Sequence, residues 1–367
     1  MSDASVMSYN AALAAIVRLY KSGVDAVLLL GPPGTGKTAM RHEIAQRSGL
    51  AHQFMIKLAH HEVPDVAGVP VARDDTKRTH FYPSADMLPP EGLTGGLLFT
   101  SDETGDCNVS QQNLLCQMVF EKRVHTYEFP PNTKFFMTSN RVADRSGANR
   151  IATKLGNRAA TITLRPTPDE LFMYGAKAGW NAHVLAFVKM KGSERINPSD
   201  NRADAPTYFN SFDPSDPAQM VVPQFASSRS YEFASNYLHY IDRHEPGLDA
   251  GTVVSELAAI IGTPVASALG AFRKIASQMP DPYAILAGKT VAYPTKQEVL
   301  WSLTLTLASK AEKATVKHLH AWLDRGPEEY LALAARVLFD TRASDLAGPE
   351  FNKMIMSPKL KAMFSGV

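Results

Sequence analysis

The chain has 367 residues, of which 45% are hydrophobic, and its 38 Lys and Arg residues nearly balance 36 Asp and Glu residues, for a net charge of +2. This length and hydrophobicity allow more than one buried core, so we expect a multidomain globular protein. The near-neutral charge lacks the strong positive field of a dedicated nucleic-acid binder. Two cysteines are too few for a disulfide framework, and residues 1–20 show neither a signal peptide nor a membrane span, which favours a cytoplasmic protein.

The first predicted elements are a helix over residues 9–21, with apolar residues at helical spacing, and a buried strand over residues 26–30. Residues 31–38 follow that strand directly and read GPPGTGKT, the pattern G-x-x-x-x-G-K-[ST] of a phosphate-binding loop. Its glycines allow successive backbone N–H groups to face a polyphosphate, and a helix predicted to begin at Lys37 adds partial positive charge. We therefore predict that the chain binds a nucleoside triphosphate.

The residues of this loop have distinct predicted tasks. Lys37 would reach the β- and γ-phosphates of the nucleotide, and the Thr38 hydroxyl would ligate Mg²⁺. A glycine turn without a ligand is the alternative, but the strand before the loop and the helix after it favour nucleotide binding. The residues predicted to bind the nucleotide here are Gly31, Pro32, Pro33, Gly34, Thr35, Gly36, Lys37, Thr38 and Ala39.

Two adjacent carboxylates end the third predicted strand. A second strand at residues 55–58 and an irregular, proline-punctuated insertion at residues 63–96 come before it, and the third strand over residues 96–103 ends at Asp102 and Glu103. The carboxyl ends of parallel strands lie at the same edge of a sheet as the phosphate loop. Asp102 would hold the Mg²⁺ shell, and Glu103 would orient and deprotonate the attacking water. Solvated turn carboxylates are the simpler alternative.

The next predicted elements are a helix over residues 109–122 and a hairpin. Residues 123–127 and 134–138 form its arms and flank the turn at residues 130–132. The second arm is a hydrophobic strand that finishes at Asn140. If this strand lies between the carboxylate strand and the phosphate loop, Asn140 can hold the lytic water. An asparagine that only caps the next turn is the alternative.

The phosphate loop, the carboxylate pair and the strand-terminal asparagine, in this order and spacing, resemble those of an AAA+ ATPase. More narrowly, the chain resembles the MoxR group, and within it the members usually encoded beside a von Willebrand A domain protein. The resemblance covers residues 9–285 and implies an α/β core, a parallel sheet flanked by helices, with ATP and Mg²⁺ as cofactors. The stretches that carry the narrower resemblance are PDVAGVP (64–70), NRVADR (140–145), LGNR (155–158), GW (179–180), VLAF (184–187) and SRSYE (228–232).

This resemblance also implies a domain organisation. A large nucleotide-binding domain is followed by a linker rich in Pro, Asp, Ser and Asn, then by a smaller all-α lid domain and C-terminal helices. The large domain contains an insertion in its second helix and a hairpin before the first sensor. The expected bounds are 1–200 for the large domain, 63–96 for the insertion, 124–135 for the hairpin, 201–224 for the linker, 225–290 for the lid and 291–367 for the C-terminal extension.

The resemblance assigns roles to two arginines. Arg158 would be the finger that reaches the nucleotide of a neighbouring subunit, with Arg145 and Arg150 as rivals for that role. Arg229 would be the second sensor, a lid residue on the γ-phosphate side, although residues 225–229 lack the prolines common before that arginine. The alternatives are an exposed surface arginine for Arg158 and an ordinary helix-start arginine for Arg229.

The implied function is that of a Mg²⁺-dependent homo-oligomeric ring, a hexamer in this group, that hydrolyses ATP and remodels a protein client. Loops at 63–96 and 124–135 would face the ring pore, and a von Willebrand A domain protein is the candidate adaptor. A nucleic-acid motor or loader is one alternative, because residues 140–146 also resemble the GTP-using McrB branch. A slow, nucleotide-gated scaffold is another.

Overall fold

The chain forms two compact units, Met1–Thr167 and Pro168–Val367. The sequence predicted the end of the first unit at residue 200, and the structure places it earlier. The reason is that the two helices after Thr167 bury their apolar side chains among the later helices, so they belong to the second unit. The computed structural model describes residues 6–144, 149–202, 205–217, 219 and 223–360.

The described part of the first unit contains a parallel sheet and two small antiparallel hairpins. The strands in chain order are β1 (Val6–Met7), β2 (Ala26–Leu30), β3 (His52–Ile56), β4 (Val69–Arg73), β5 (Arg78–Tyr82), β6 (Leu97–Ser101), β7 (Arg123–Val124), β8 (Tyr127–Glu128), β9 (Thr133–Ser139) and β10 (Ala160–Leu164). Six of them form one sheet in the order β1-β10-β2-β9-β6-β3, with every neighbouring pair parallel. The predicted α/β fold class is confirmed.

Helices cover both faces of this sheet. Those of the first unit are α1 (Tyr9–Lys21), α2 (Met40–Ser48), α3 (Val63–Ala67), α4 (Val109–Glu121) and α5 (Thr153–Gly156). Along β2, Val27 and Leu29 lie in one core cluster with α1 and α2, whereas Ala26 and Leu28 lie in another with α4. Alternate side chains of a strand point to opposite faces, so a strand covered on both faces needs a continuous apolar run. The apolar run before the phosphate loop therefore belongs to a central strand.

The predicted hairpin around residues 130–132 is wrong. β7 pairs with β8 in a short antiparallel hairpin with its turn at 125–126, and β9 lies in the main sheet between β2 and β6. Phe129 explains the difference, because its buried ring contacts Phe99 and Phe135 at centroid distances of 5.2 and 5.3 Å. The chain is thus anchored in the sheet core before β9 begins, and the hairpin is shorter than predicted.

The insertion at 63–96 was predicted to be irregular but contains a hairpin. β4 and β5 pair antiparallel after α3, and all five residues of β4 are exposed. Gly68 enters the hairpin at a φ of 103°, and a Cβ there would lie 2.6 Å from the carbonyl carbon of Tyr82, so this position requires glycine. The Phe81 ring of β5 stacks on His125 of the β7–β8 turn at 4.2 Å. The two segments predicted to face a ring pore therefore contact each other.

The second unit is helical throughout its described elements. One core cluster extends from its first two helices to its last, so the predicted lid (225–290) and C-terminal extension (291–367) form a single unit. No helix in the described ranges is both long enough and apolar enough to cross a membrane. The helices are α6 (Pro168–Lys177), α7 (Ala182–Lys191), α8 (Ser228–His244), α9 (Ala250–Ile261), α10 (Thr263–Ala276), α11 (Pro282–Leu286), α12 (Gln297–Lys310), α13 (Val316–Leu323), α14 (Glu328–Leu346) and α15 (Pro349–Ile355).

The predicted linker at 201–224 falls partly outside the described residues. In its described part, Arg202 forms ion pairs with both Asp200 and Asp213, at 2.7 and 2.6 Å. The hydrogen bonds from Arg202 lower the pKa of Asp213 to about 2. These ion pairs therefore link the two ends of the segment 200–213, for which the composition predicted only a loop.

Replacing Phe99 by alanine should destabilise the first unit. Phe99 is 1% exposed and contacts three other aromatic rings, so truncation leaves a cavity that costs about 3–5 kcal/mol of unfolding free energy. Hydrogen exchange of the β6 and β9 amides under native conditions measures this loss. The matched control is Phe120→Ala, because Phe120 is 70% exposed and its removal should cost about 1 kcal/mol or less. Equal losses in the two variants would contradict the packing argument.

Candidate functional site

The phosphate-binding loop follows β2 and has the backbone that its glycines allow. Gly34 and Gly36 have φ values of 73° and 81°, in the left-handed region that favours glycine. A Cβ on Gly31 would lie 3.0 Å from the Leu164 carbonyl oxygen, so the loop passes close to the end of β10. These three positions explain the glycine spacing without reference to any ligand.

The helix after the loop begins at Met40, three residues later than predicted. The N–H groups of Arg41 and His42 bond to the carbonyl oxygens of Thr38 and Ala39, at 3.4 Å each. These are bonds between residues three apart, whereas the Met40 N–H bonds to the Gly36 carbonyl oxygen four residues earlier, at 3.2 Å, so the entry to the helix mixes the two kinds of turn. The predicted loop residues 31–39 thus lie in the loop and this entry turn.

Lys37 is buried in the loop and bonds to Asn140. Its Nζ donates to the carbonyl oxygens of Gly31 and Pro32 at 2.8 and 2.7 Å, and to Oδ1 of Asn140 at 2.9 Å. The side chain is 8% exposed. Because Asn140 directly follows β9, which lies beside β2, the strand order brings together two residues that are 103 positions apart. A cation held this way by neutral oxygens is suited to contact phosphate.

Thr38 and Asp102 form the second contact across the site. The Thr38 hydroxyl donates to Oδ1 of Asp102 at 2.8 Å, and the Thr138 hydroxyl donates to the same oxygen at 2.5 Å. Asp102 is 5% exposed, so these donors replace part of the hydration that its carboxylate loses on burial. Hydroxyl and carboxylate oxygens are the hard ligands that Mg²⁺ prefers, so Thr38 and Asp102 have the chemistry predicted for the metal. Sequence reasoning missed Thr138, whose only signal was a polar residue inside a buried strand.

Glu103 has an uncommon backbone and an ion-pair partner. Its φ and ψ of 55° and 39° lie in the left-handed region, which is sparsely populated by residues with a Cβ. Lys57 bonds to Glu103 at 2.9 Å and lies 3.9 Å from Asp102. Sequence reasoning also missed Lys57, although it directly follows β3, the neighbour of β6. Burial first, and then the Glu103 charge, raise the pKa of the Asp106 carboxyl, whereas the Lys57 charge lowers it.

Arg158, the predicted finger, contacts residues of the neighbouring helices. The Arg158 guanidinium sits 4.8 Å over the ring of Phe120 and donates to the Lys154 carbonyl oxygen at 3.0 Å. It is thus an exposed residue held against α4 and α5. Its rival Arg150 is also exposed, and Arg145 lies outside the described residues.

Arg229 is found in the second unit. It lies in the first turn of α8, as predicted, and is exposed. The helix begins there because Ser227 and Ser230 exchange hydrogen bonds with each other's backbone N–H groups in a capping box. This serine pair, rather than a preceding proline, starts the helix that carries the predicted second sensor.

The site as a whole combines a glycine loop at a helix start, a buried lysine and a hydroxyl–carboxylate pair at the carboxyl edge of a parallel sheet. This combination is typical of the P-loop nucleoside triphosphatases. The fold and the site geometry are therefore those of a P-loop nucleotide-binding core.

The family comparison makes this class more specific. Residues 27–73, which run from β2 to the end of β4, match the family described as ATPase family associated with various cellular activities (AAA). These residues thus resemble part of an AAA ATPase domain. The predicted AAA+ resemblance is confirmed at this level, whereas the MoxR group stays a prediction. A search of curated proteins found no match.

Several solved structures are similar to this chain at low identity. A candidate ATPase from Cytophaga hutchinsonii aligns over 46% of this chain and 49% of its own length, with 14% identity and a TM-score of 0.33. NtrX from Brucella abortus in complex with ADP aligns over 96% of this chain and 67% of its own, with 14% identity and a TM-score of 0.38. The same protein in complex with ATP aligns over 91% of this chain and 66% of its own length, with 11% identity and a TM-score of 0.35. This chain thus spans about half to two thirds of these proteins.

Replacing Lys57 by methionine should raise ATP turnover. The ion pair holds the Glu103 carboxylate against Lys57, and its loss lets Glu103 turn toward an attacking water. Both side chains are more than a third exposed, so the pair is worth about 1 kcal/mol at most, which corresponds to about a fivefold gain in rate. Phosphate release at saturating ATP measures the rate, with Lys21→Met as the control on the exposed end of α1. A rate below that of the unchanged protein would mean that Lys57 assists catalysis directly.

Proposed function

We propose that the chain is a Mg²⁺-dependent, MoxR-type AAA+ ATPase that assembles into a ring and uses ATP hydrolysis to remodel a protein client. The observation that carries the catalytic part is the pair of contacts Lys37–Asn140 and Thr38–Asp102. These contacts join the loop after β2 to the ends of β9 and β6. A site built only for structural stability has no need for a buried lysine beside a glycine loop.

In this proposal each group acts at a definite atom. Lys37 leaves its carbonyl partners to donate to the β- and γ-phosphate oxygens, and Asn140, released from Lys37, orients the attacking water. Glu103 accepts the proton of that water. Thr38 and Asp102 hold Mg²⁺, which neutralises charge on the phosphates when bound.

A shared active site between subunits is supported by the exposure of Arg158. An arginine finger neutralises the charge that develops during phosphoryl transfer and contributes about 10³ to 10⁵ in rate. Arg158 is held on the surface by Phe120, which is itself 70% exposed, and both are accessible to a second copy of the chain. The hexameric ring and the role of Arg229 as second sensor are proposed from the MoxR resemblance.

The remodelling role is supported by the two hairpins in contact. Val69, Val71 and Tyr82 on the β4–β5 hairpin are 60%, 45% and 45% exposed, which gives an apolar surface next to the β7–β8 turn. Such a surface can hold an extended segment of a client protein. We propose a protein client, reached with a von Willebrand A domain adaptor, and a cytoplasmic location.

Two substitutions in the nucleotide site should separate binding from hydrolysis. Lys37→Ala should abolish binding, because the phosphates lose their principal cation, while Glu103→Gln should bind ATP but not turn it over, because an amide accepts no proton from water. Calorimetry with MgATP and phosphate release measure the two steps. Full turnover by Glu103→Gln would refute the role of Glu103.

The ATP-bound Glu103→Gln protein can also serve as a trap for the client. Capture of a specific protein, above all one with a von Willebrand A domain, followed by its stimulation of hydrolysis in the unchanged protein, would support the remodelling role. Stimulation of hydrolysis by DNA or RNA, with steep salt dependence, would instead identify a nucleic-acid motor.

Mixing two inactive variants should restore hydrolysis. Arg158→Ala subunits keep an intact phosphate loop and Glu103, whereas Glu103→Gln subunits keep an intact finger. Random equal mixing gives complete sites at about a quarter of the interfaces. We expect partial activity from the mixture and a rate per subunit that rises with protein concentration. If the mixture stays inactive although both variants assemble, the active site is not shared through Arg158.

A further inference from the structure

Thr138 carries a buried hydroxyl near the carboxyl end of β9 that the proposed mechanism has not yet used. The residue is 1% exposed and follows the buried apolar residues Phe136 and Met137. A valine of nearly the same shape would suit this position better, because a buried hydroxyl loses its hydration unless it finds a partner. The partners of this hydroxyl are both at the carboxylate pair.

The directions of the two hydrogen bonds follow from the atoms. Oγ1 of Thr138 lies 2.5 Å from Oδ1 of Asp102 and 3.4 Å from the backbone N of Glu103. The hydroxyl has one hydrogen, and a carboxylate oxygen can only accept, so Thr138 donates to Asp102 and accepts from the Glu103 N–H. One side chain therefore contacts both carboxylate residues.

The Oδ1 atom of Asp102 also accepts from the hydroxyl of Thr38, at 2.8 Å. Two hydroxyls, one in the phosphate loop and one on β9, thus donate to the same carboxylate oxygen and restrict the rotation of the carboxylate about its last bond. Glu103, whose N–H donates to Thr138, has a φ of 55°, which a residue with a Cβ rarely adopts. Thr138 therefore contacts both the carboxylate predicted to hold the metal and the backbone of the predicted base.

We propose that Thr138 is a positioning residue for the hydrolytic site. It orients Asp102 toward Mg²⁺ and fixes the backbone from which the Glu103 side chain, once it leaves Lys57, reaches the water. Asn140 follows β9 directly, two residues after Thr138, so the end of this strand carries both the positioning hydroxyl and the amide proposed to bind water. This inference rests on the proposed Mg²⁺–ATP hydrolysis.

The neighbouring strand supplies a matched comparison. Thr100 of β6 is also 1% exposed, but in the described part of the structure its hydroxyl has no hydrogen-bond partner. A threonine buried in this sheet is therefore not a positioning residue by its location alone. Thr100→Val and Thr138→Val remove the same atom from adjacent strands.

The test compares Thr138→Val, Thr138→Ser and Thr100→Val. A fluorescent ATP analogue gives the affinity of each variant with EDTA and with Mg²⁺, and phosphate release gives kcat and KM. We expect Thr138→Val to keep its affinity in EDTA, to lose about tenfold of the affinity gained with Mg²⁺, and to lose kcat by at least as much. Thr138→Ser should recover both quantities, and Thr100→Val should change neither.

Three results would overturn this inference. The first is that Thr138→Val keeps both its kcat and the full increase in affinity that Mg²⁺ gives. The second is that Thr100→Val loses as much affinity and kcat as Thr138→Val. The third is that Thr138→Ser does not recover the increase in affinity with Mg²⁺. If Thr138→Val unfolds, which circular dichroism detects, Thr138→Ala and Thr138→Ser decide the question by the same comparison. Failure of the unchanged protein to bind any ATP analogue would instead refute the proposed function itself.

Discussion

The structure of the site depends on one buried carboxylate. Asp102 is 5% exposed, and a buried charge is stable only where hydrogen bonds replace its lost hydration. Its Oδ1 atom receives hydroxyl hydrogens from Thr38, in the phosphate loop, and from Thr138, in β9. These bonds form only if the loop after β2 and the strands β9 and β6 lie at one edge of one parallel sheet. The hydrogen bonds to Asp102 therefore require this strand order.

The same edge explains why polar groups gather there. β2, β6 and β9 are covered by helices on both faces, so their apolar residues are buried and their carboxyl ends become the place where polar residues can meet. Lys37 reaches Asn140, and Lys57 reaches Glu103, each across a pair of neighbouring strands. Opposite charges and amide dipoles thus hold the groups in place before a nucleotide arrives. The proposed mechanism requires these contacts to be exchanged for contacts with phosphate and water.

The parts of the chain that differ from this core are its surface hairpins and its helical second unit. The stacking of Phe81 on His125 links the β4–β5 hairpin to the β7–β8 turn, and the Thr126 hydroxyl donates to the Phe81 carbonyl oxygen at 3.0 Å. If one hairpin moves, these contacts transmit the movement to the other. Because β7 follows α4, and β6 leads into α4 through Glu103, the covalent chain itself connects these hairpins to the carboxylate pair.

Local pattern was enough to predict the α/β class, the phosphate loop and the carboxylate pair, because strand hydrophobicity and glycine spacing are properties of short segments. Tertiary structure alone decided which residues meet. The turn at 125–126, the placement of β9 and the end of the first unit at Thr167 depend on where Phe129 and the helices after Thr167 find apolar surface. Thr138 and Lys57 contact carboxylates tens of positions away, and no local pattern encodes such contacts.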